Sequence, residues 1–161
     1  MVSNSASTGR LFEDFNIGED YRHWPGRTVS ETDNTWFTLL TMNTHPLHFD
    51  QEYAASTRFG RPLVNSCLTL SIVVGMSVRD MSQGAIANLG FENIELPAPV
   101  YNGDTLYAAS TVLEKRVSRS DPRQGIVRFR TIGTNQDDIV VLRLVRAVLV
   151  PLRDPSVTTD G

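Results

Sequence analysis

Two histidines and an asparagine lie within six residues of one another, in a stretch that contains one proline. The stretch is Thr-Met-Asn-Thr-His-Pro-Leu-His, residues 41–48, and it ends at His48. Proline restricts its own backbone and that of the residue before it, so the stretch predicts a short, rigid loop between two helix-like segments. An imidazole held on such a loop suits proton transfer near neutral pH. His48 is therefore the candidate general base and general acid.

The same stretch raises the question of a metal site. His45 and His48 are three residues apart, and Asp50 follows closely. A metal centre would need a further ligand, and no glutamate or cysteine has a suitable spacing to complete the set. We expect no metal ion and no tightly bound cofactor.

Three segments follow one another in an order that resembles a known family. After Pro-Leu-His come Phe-Gly-Arg-Pro-Leu-Val-Asn-Ser, at 59–66, and an apolar stretch at 67–78. They resemble the MaoC-like dehydratases, or (R)-specific enoyl-CoA hydratases, whose usual pattern is Gly-Asp-x-Asn-Pro-Leu-His, then Phe-Gly-Arg-Pro, then His-Gly-Met. The resemblance extends from about residue 12 to residue 150. It implies the hot-dog fold, in which a curved antiparallel sheet wraps a central apolar helix.

The resemblance also implies roles for individual residues. His48 matches the catalytic histidine, whereas Asn43 stands where the family has its catalytic aspartate and His45 where it has asparagine. Asn65 and Ser66 replace a histidine and a glycine at the start of the central helix, and both are candidate substrate-binding residues. The backbone amide of Ser66 would hold the thioester oxygen, because helix-end N–H groups carry partial positive charge.

A carboxamide cannot accept a proton at neutral pH, so Asn43 leaves three explanations open. In the first, His48 shuttles the proton alone while Asn43 orients water, on a branched or dicarboxylic substrate such as mesaconyl-CoA or itaconyl-CoA. In the second, Asp33 or Asp50 supplies the carboxylate, although both fit helix-capping positions. In the third, hydratase activity is lost. Asn43 and Asn65 could also serve simply as helix caps.

The function that the resemblance implies is reversible addition of water to a 2-enoyl-CoA thioester. By the same analogy, the protein is expected to be a homodimer or a higher homo-oligomer, with the acyl-CoA substrate as its small-molecule partner. Two alternatives stay open, namely an acyl-CoA thioesterase with the same fold and a non-catalytic acyl-CoA-binding protein or subunit.

Length and composition restrict these classes further. A chain of 161 residues with 40% hydrophobic content is one domain of ordinary size. A net charge of −3 and a pI near 5.6 argue against a general affinity for nucleic acid. The first residues lack the basic and apolar regions of a secretory signal, and no apolar helix candidate is long enough to cross a bilayer. We expect a cytoplasmic protein without nucleic-acid or membrane partners, with its one cysteine, Cys67, in the core.

The chain divides at about residue 83, with a helical pattern before it and a strand pattern after it, which predicts an α+β domain. Flexible tails are predicted at 1–10 and 154–161, around a single domain at 11–153. The predicted helices cover 31–42, 51–57 and, from a cap at Asn65 or Ser66, the apolar stretch to 78. The last is apolar on nearly every side and should be enclosed. The predicted strands cover 85–94, 104–118, 125–134 and 139–150, with an edge strand or extended arm at 21–29.

Overall fold

One curved antiparallel sheet and one long apolar helix form the computed structural model, which describes residues 9–153. The strands are β1 (Asp20–Thr28), β2 (Ala87–Glu95), β3 (Thr105–Val117), β4 (Gln124–Thr134) and β5 (Val140–Pro151). They lie in the order β1-β3-β4-β5-β2. The helices are α1 (Glu31–Leu40), α2 (Gln51–Ala55) and α3 (Ser66–Ser77), and a π-helical turn, Val78–Ser82, continues α3. The α+β prediction is confirmed. The predicted tails lie outside the described residues, apart from residues 9 and 10.

Alternation along the strands puts one face of the sheet against α3. Val127 and Phe129 of β4 are fully buried, whereas Arg130 is exposed. This confirms the predicted alternation. Inward residues of β3 and β5 pack with Ile72 and Val73 of α3 in one apolar cluster, and Val127 and Phe129 belong to a second cluster. Because both partners bury apolar area there, the helix and the sheet stabilise each other.

The face of α3 that points away from the sheet is open, contrary to the prediction of an enclosed helix. Cys67 is exposed, and so are Ser71 and Gly75, one and two turns farther along. The prediction that Cys67 lies in the core is wrong. The reason is that the apolar residues on the sheet side already fill the contact, which leaves the small residues to face outward. No helix among residues 9–153 is long and apolar enough to span a membrane.

A polar layer separates two apolar clusters inside the domain. The buried ring of His23 has Nδ1 at 2.7 Å from a carboxylate oxygen of Asp80 and Nε2 at 2.8 Å from Oγ of Ser110. Ser110 in turn lies 2.8 Å from Oγ1 of Thr131. These side chains join β1, β3, β4 and the π-helical turn. Phe129 belongs to the cluster on one side of the layer and Leu106 to the cluster on the other.

Local hydrogen bonds determine where α1 begins. Ser30 and Asp33 form the predicted capping box: Asp33 N–H donates to Ser30 Oγ at 3.0 Å, and Ser30 N–H donates to Asp33 Oδ2 at 2.9 Å. The N–H and the hydroxyl of Ser30, which both donate to Asp33 Oδ2, hold the pKa of Asp33 below its usual range together with the Arg27 guanidinium. Helix α1 therefore starts where the sequence predicts.

The end of α1 differs from the prediction, since the helix stops at Leu40 rather than at 42, well before Pro46. Met42 is left-handed, with φ 58°. Its N–H donates to Leu39 O at 3.1 Å, and the N–H of Asn43 donates to Thr38 O at 3.0 Å. This pair of bonds is a Schellman motif, which closes a helix without any proline. In α2, Ala54 is buried and Tyr53 is exposed.

We predict that Gly133→Ala destabilises the domain, because Gly133 is where α3 approaches β4 most closely. An added Cβ would lie 2.7 Å from Cγ2 of the buried Val73, whose branched side chain has little freedom to move. The expected loss of unfolding free energy is about 1–3 kcal/mol, measured by urea denaturation.

Gly75→Ala is the matched control on the open face of α3. A Cβ there meets nothing within 4 Å, so the higher helix propensity of alanine should raise the unfolding free energy by up to about 1 kcal/mol. Equal stability of the two variants would contradict this close packing of α3 on β4.

Candidate active site

A buried asparagine of α1 connects the two segments that carry the predicted site. Asn34 is fully buried. Its Nδ2 donates to His48 O and to Leu63 O, both at 2.9 Å, and its Oδ1 accepts from Asn65 N–H at 2.8 Å. One carboxamide therefore holds the turn that bears His48 next to the residue that precedes α3. The structure thus brings the predicted residues of the two segments together.

The contact made by the His48 ring decides which of its nitrogens carries the proton. His48 belongs to a short 3₁₀ turn, Pro46–His48, and its Nδ1 lies 3.0 Å from Leu63 O. A carbonyl oxygen only accepts hydrogen bonds, so Nδ1 must be the donor. The neutral ring then has its lone pair on Nε2. Leu63 N–H also donates to Leu47 O at 3.1 Å, which fixes the backbone around the ring. The geometry leaves Nε2 as an oriented base.

Asn43 lies in the loop between α1 and the His48 turn, where its carboxamide is half-buried. Its Oδ1 accepts from His45 N–H at 3.0 Å, an Asx-type bond two residues along the chain. Its Nδ2 makes no hydrogen bond with any residue from 9 to 153 and stays available as a donor. Asn43 therefore shapes the loop and offers one N–H. It offers no base.

The two carboxylates considered as substitutes for the missing aspartate are occupied at helix starts. Asp33 completes the capping box of α1. Asp50 caps α2, since its Oδ1 accepts from Tyr53 N–H at 2.9 Å. Both residues therefore have the capping role that the sequence also predicted, and the geometry gives neither a contact with His48.

The start of α3 is built by Asn65. Its Oδ1 accepts from Cys67 N–H at 2.9 Å, and its Nδ2 lies 3.2 Å from Oγ1 of the buried Thr38. Asn65 is itself buried, and both polar atoms of its side chain make bonds within the fold, so it positions the start of the helix. Its role in substrate binding stays a prediction. Ser66 is the first residue of α3 and is exposed. The first N–H groups of this helix point outward with partial positive charge.

An open cavity of about 290 Å³ lies at this helix start. Ser66 and Leu63 line it, together with Arg58, Phe59 and the segment 96–100. The guanidinium of Arg58 lies 4.7 Å from the centre of the Phe59 ring, so a cation is held at the wall of the cavity. Within residues 9–153, no three side chains of the metal-binding types come together.

Asn34 and Thr38 are site residues that sequence reasoning missed. They are four residues apart and so lie on the same side of α1, and both are fully buried. The available signal was a pair of polar residues at helical spacing, in a helix whose second half is otherwise mostly apolar. Such a pair indicates a buried face that must find hydrogen-bond partners.

Comparison with known proteins gives a consistent result. Residues 13–135 match the family model described as MaoC like domain. The chain is 37% identical to the beta-methylmalyl-CoA dehydratase of Chloroflexus aurantiacus, over 96% of this chain and 44% of that protein. It is 36% identical to the mesaconyl-CoA hydratase of Cereibacter sphaeroides, over 93% of this chain and 43% of that protein. The chain thus spans less than half the length of these two relatives.

One shorter relative and one solved structure match this chain over nearly their whole length. A second solved structure matches it over about half of its own length. The (R)-specific enoyl-CoA hydratase of Rhodospirillum rubrum is 31% identical, over 88% of this chain and 92% of that one. A MaoC-like dehydratase structure from Rhodospirillum rubrum superposes with a TM-score of 0.80 at 28% identity, covering 91% of this chain and 99% of that one. A Mycobacterium tuberculosis protein described as a double hot-dog fold gives 0.84 at 24%, covering 94% of this chain and 47% of that one. The hot-dog prediction is confirmed.

We predict that Asn34→Asp destabilises the protein by about 3 kcal/mol. One oxygen of the buried carboxylate would face the two carbonyls that now receive N–H groups, and of the present partners of Asn34 only the N–H of Asn65 could still donate to it. The measurement is urea denaturation, with the imidazole signals of His48 followed by NMR as a local probe. Gln83→Glu is the matched control, an amide-to-carboxylate change on an exposed residue that follows the π-helical turn, and it should change the unfolding free energy by no more than about 0.5 kcal/mol. Similar stabilities for the two variants would show that the Asn34 bonds are dispensable.

Proposed function

The chain belongs to the MaoC-like domain family, and from this premise we propose that it catalyses the reversible addition of water to a 2-enoyl-CoA thioester. The observation that carries the proposal is the hydrogen bond between His48 Nδ1 and Leu63 O, which leaves Nε2 as the proton acceptor. The enzyme would be a hydro-lyase. The chain itself supplies the base and the helix-end donors, and this proposal needs no bound cofactor.

The bond changes balance with His48 as the one proton carrier. As the water oxygen bonds to C3, its proton passes to His48 Nε2, and the C2–C3 π pair moves toward the thioester oxygen as an enolate. His48 then returns the proton to C2, and the thioester carbonyl forms again. A single group that takes and returns the proton is the scheme that a site without a carboxylate requires.

The enolate oxygen needs donors while its charge develops. The start of α3 supplies them, with the backbone N–H of Ser66 as the first candidate. Asn65 shapes this helix end through its bond to Cys67 N–H. Since Asn34 contacts the backbone of both His48 and Asn65, the base and the donors keep one relative position.

For the substrate we propose a branched or dicarboxylic enoyl-CoA such as mesaconyl-CoA. This class is supported by the names of two relatives, the beta-methylmalyl-CoA dehydratase and the mesaconyl-CoA hydratase. Arg58 at the wall of the cavity offers a guanidinium for a carboxylate of the acyl group or for a CoA phosphate. A cytoplasmic location, expected from the sequence, stays a prediction.

Asn43 favours a second candidate function. Because its amide cannot replace a carboxylate base, the chain could act as an acyl-CoA-binding unit without turnover. A thioesterase, in which water attacks the thioester carbon, is the other alternative. The three functions differ in their products, which are a hydrated acyl-CoA, unchanged acyl-CoA and free CoA respectively.

We also propose that two copies of the chain pair through β2. β2 and β1 are the two edges of the sheet. Both edge strands have register shifts against their neighbours, but β1 is also interrupted by Pro25. β2 has no proline and exposes Leu89, Phe91 and Ile94. An apolar edge strand with free backbone groups favours strand pairing. A homodimer would then contain two hot-dog domains, and a double hot-dog protein contains the same number in one chain.

We predict that the wild-type protein hydrates at least one member of a panel of crotonyl-, mesaconyl- and itaconyl-CoA, followed by loss of the conjugated absorbance and by mass spectrometry of the product. His48→Ala should lower kcat by about 10²- to 10⁴-fold, since it removes the proton carrier. The melting temperature should change little, because the ring lies partly outside the core.

Thr44→Ala serves as the control, since it changes an exposed residue of the same loop and should keep the wild-type rate. Full activity of His48→Ala would remove His48 from the mechanism. Release of free CoA would indicate a thioesterase, and unchanged substrates throughout would favour the binding protein.

We predict that Leu89→Lys converts the dimer to a monomer, because it would place a charged side chain on the paired β2 edge of each copy. The measurement is light scattering coupled to size-exclusion chromatography. Ile139→Lys is the matched control: Ile139 is 49% exposed, as is Leu89, but it precedes β5 outside the edge. A dimeric Leu89→Lys protein, or a monomeric wild type, would contradict pairing through β2.

A further inference from the structure

We propose that His45 and His48 act as a donor–acceptor pair, in which the Nε2–H of His45 holds the oxygen whose proton goes to Nε2 of His48. The inference rests on the proposed hydratase function and deepens it, because it assigns a second side chain to the reacting water. His45 stands where the resembled family has asparagine, and in this chain it is accompanied by the loss of the aspartate at position 43.

The backbone gives the two rings opposite tautomers. His48 Nδ1 donates to Leu63 O, so its Nε2 is an acceptor. His45 Nδ1 instead accepts from Leu47 N–H at 3.1 Å, so in the neutral ring the proton is on Nε2. Two neighbouring imidazoles are thereby held as one proton acceptor and one N–H donor.

The relative position of the rings suits a shared oxygen atom. Their centroids are 6.0 Å apart and their planes are inclined by 59°. This separation is too long for a direct hydrogen bond between ring nitrogens, and it leaves space for one oxygen atom between the rings. That oxygen would accept from His45 and donate to His48, as the reacting water must.

The loop keeps His45 in place although its side chain is exposed. Its N–H donates to Asn43 Oδ1 at 3.0 Å, and its carbonyl accepts from His48 N–H at 3.3 Å. Pro46 restricts the peptide between the two histidines, and the Tyr53 ring meets the His45 ring edge-on, with centroids 6.0 Å apart. Neither His45 nor His48 forms an ion pair with a carboxylate among residues 9–153.

The donor has a specific task in each direction of the reaction. In hydration, it orients the water so that one O–H points to His48 while a lone pair faces C3. In dehydration, His48 takes the C2 proton, the C3–O bond breaks, and charge develops on the departing oxygen. The His45 N–H stabilises that charge, and His48 then gives the proton to the oxygen to complete a water molecule.

The first test is NMR of the resting protein and needs no substrate. Long-range ¹H–¹⁵N correlation spectra of protein with ¹⁵N-labelled histidine, recorded at a pH where both rings are neutral, report which ring nitrogen carries the proton. We expect Nδ1–H for His48 and Nε2–H for His45. The same tautomer on both rings would overturn the pair.

The second test separates an N–H donor from a structural ring. His45→Phe keeps an aromatic ring against Tyr53 but has no N–H, and it should lower kcat about 10- to 100-fold with little change in KM. His45→Gln keeps a donor near the position of Nε2 and should recover most of the rate. Wild-type kcat in His45→Phe, or equal losses in both variants, would overturn the inference.

The two proposals fail in different ways. If the wild-type protein hydrates none of the substrates in the panel, the hydratase function fails, and the tautomer spectra still decide whether the rings form a donor–acceptor pair. If the wild type is active and His48→Ala is not, the hydratase function stands and the His45 variants decide the role of His45 alone.

Discussion

The carboxamide of Asn34 is the interaction on which the arrangement of the site depends. It makes three hydrogen bonds in a position that water cannot reach, and each of its partners is a backbone group of a segment that carries the proposed chemistry. Leaving any one of these bonds unmade at such a position would cost more than the bond contributes when it is formed, so the fold holds all three partners in place. The base and the helix-end donors are thereby preorganised, as electrostatic stabilisation of a developing charge requires.

Those parts of the fold that depend on local signals could be predicted from the sequence. The strands alternate in hydrophobicity, and Ser30 with Asp33 makes a capping box whose bonds involve only neighbouring residues. The cap of α2 by Asp50 is local in the same sense. The resemblance predicted the positions of His48 and Ser66, because the motifs around them are short and contiguous. The roles proposed for these two residues await the kinetic tests.

The remaining features depend on contacts between segments that are distant in the chain. The hydrogen-bond partners of the buried Asn34 belong to residues 48, 63 and 65, and no pattern in α1 identifies them. The exposure of Cys67 follows from which side of α3 meets the sheet, and a helix that is apolar all round does not specify that side. The tautomer of His48 likewise depends on a carbonyl fifteen residues away. Composition and periodicity carry no information of this kind.

The buried polar layer has a consequence for how the strands align. A slip of β3 against β4 by two residues would leave every inward side chain facing inward, so hydrophobic burial alone discriminates weakly between the two alignments. Ser110 lies directly opposite Thr131 in the native register, and a two-residue slip would place it opposite Phe129 or Gly133. Its hydroxyl would then lose its Thr131 partner in a buried position. The polar layer therefore favours a single register of β3 against β4, which the burial of apolar side chains alone would specify only weakly.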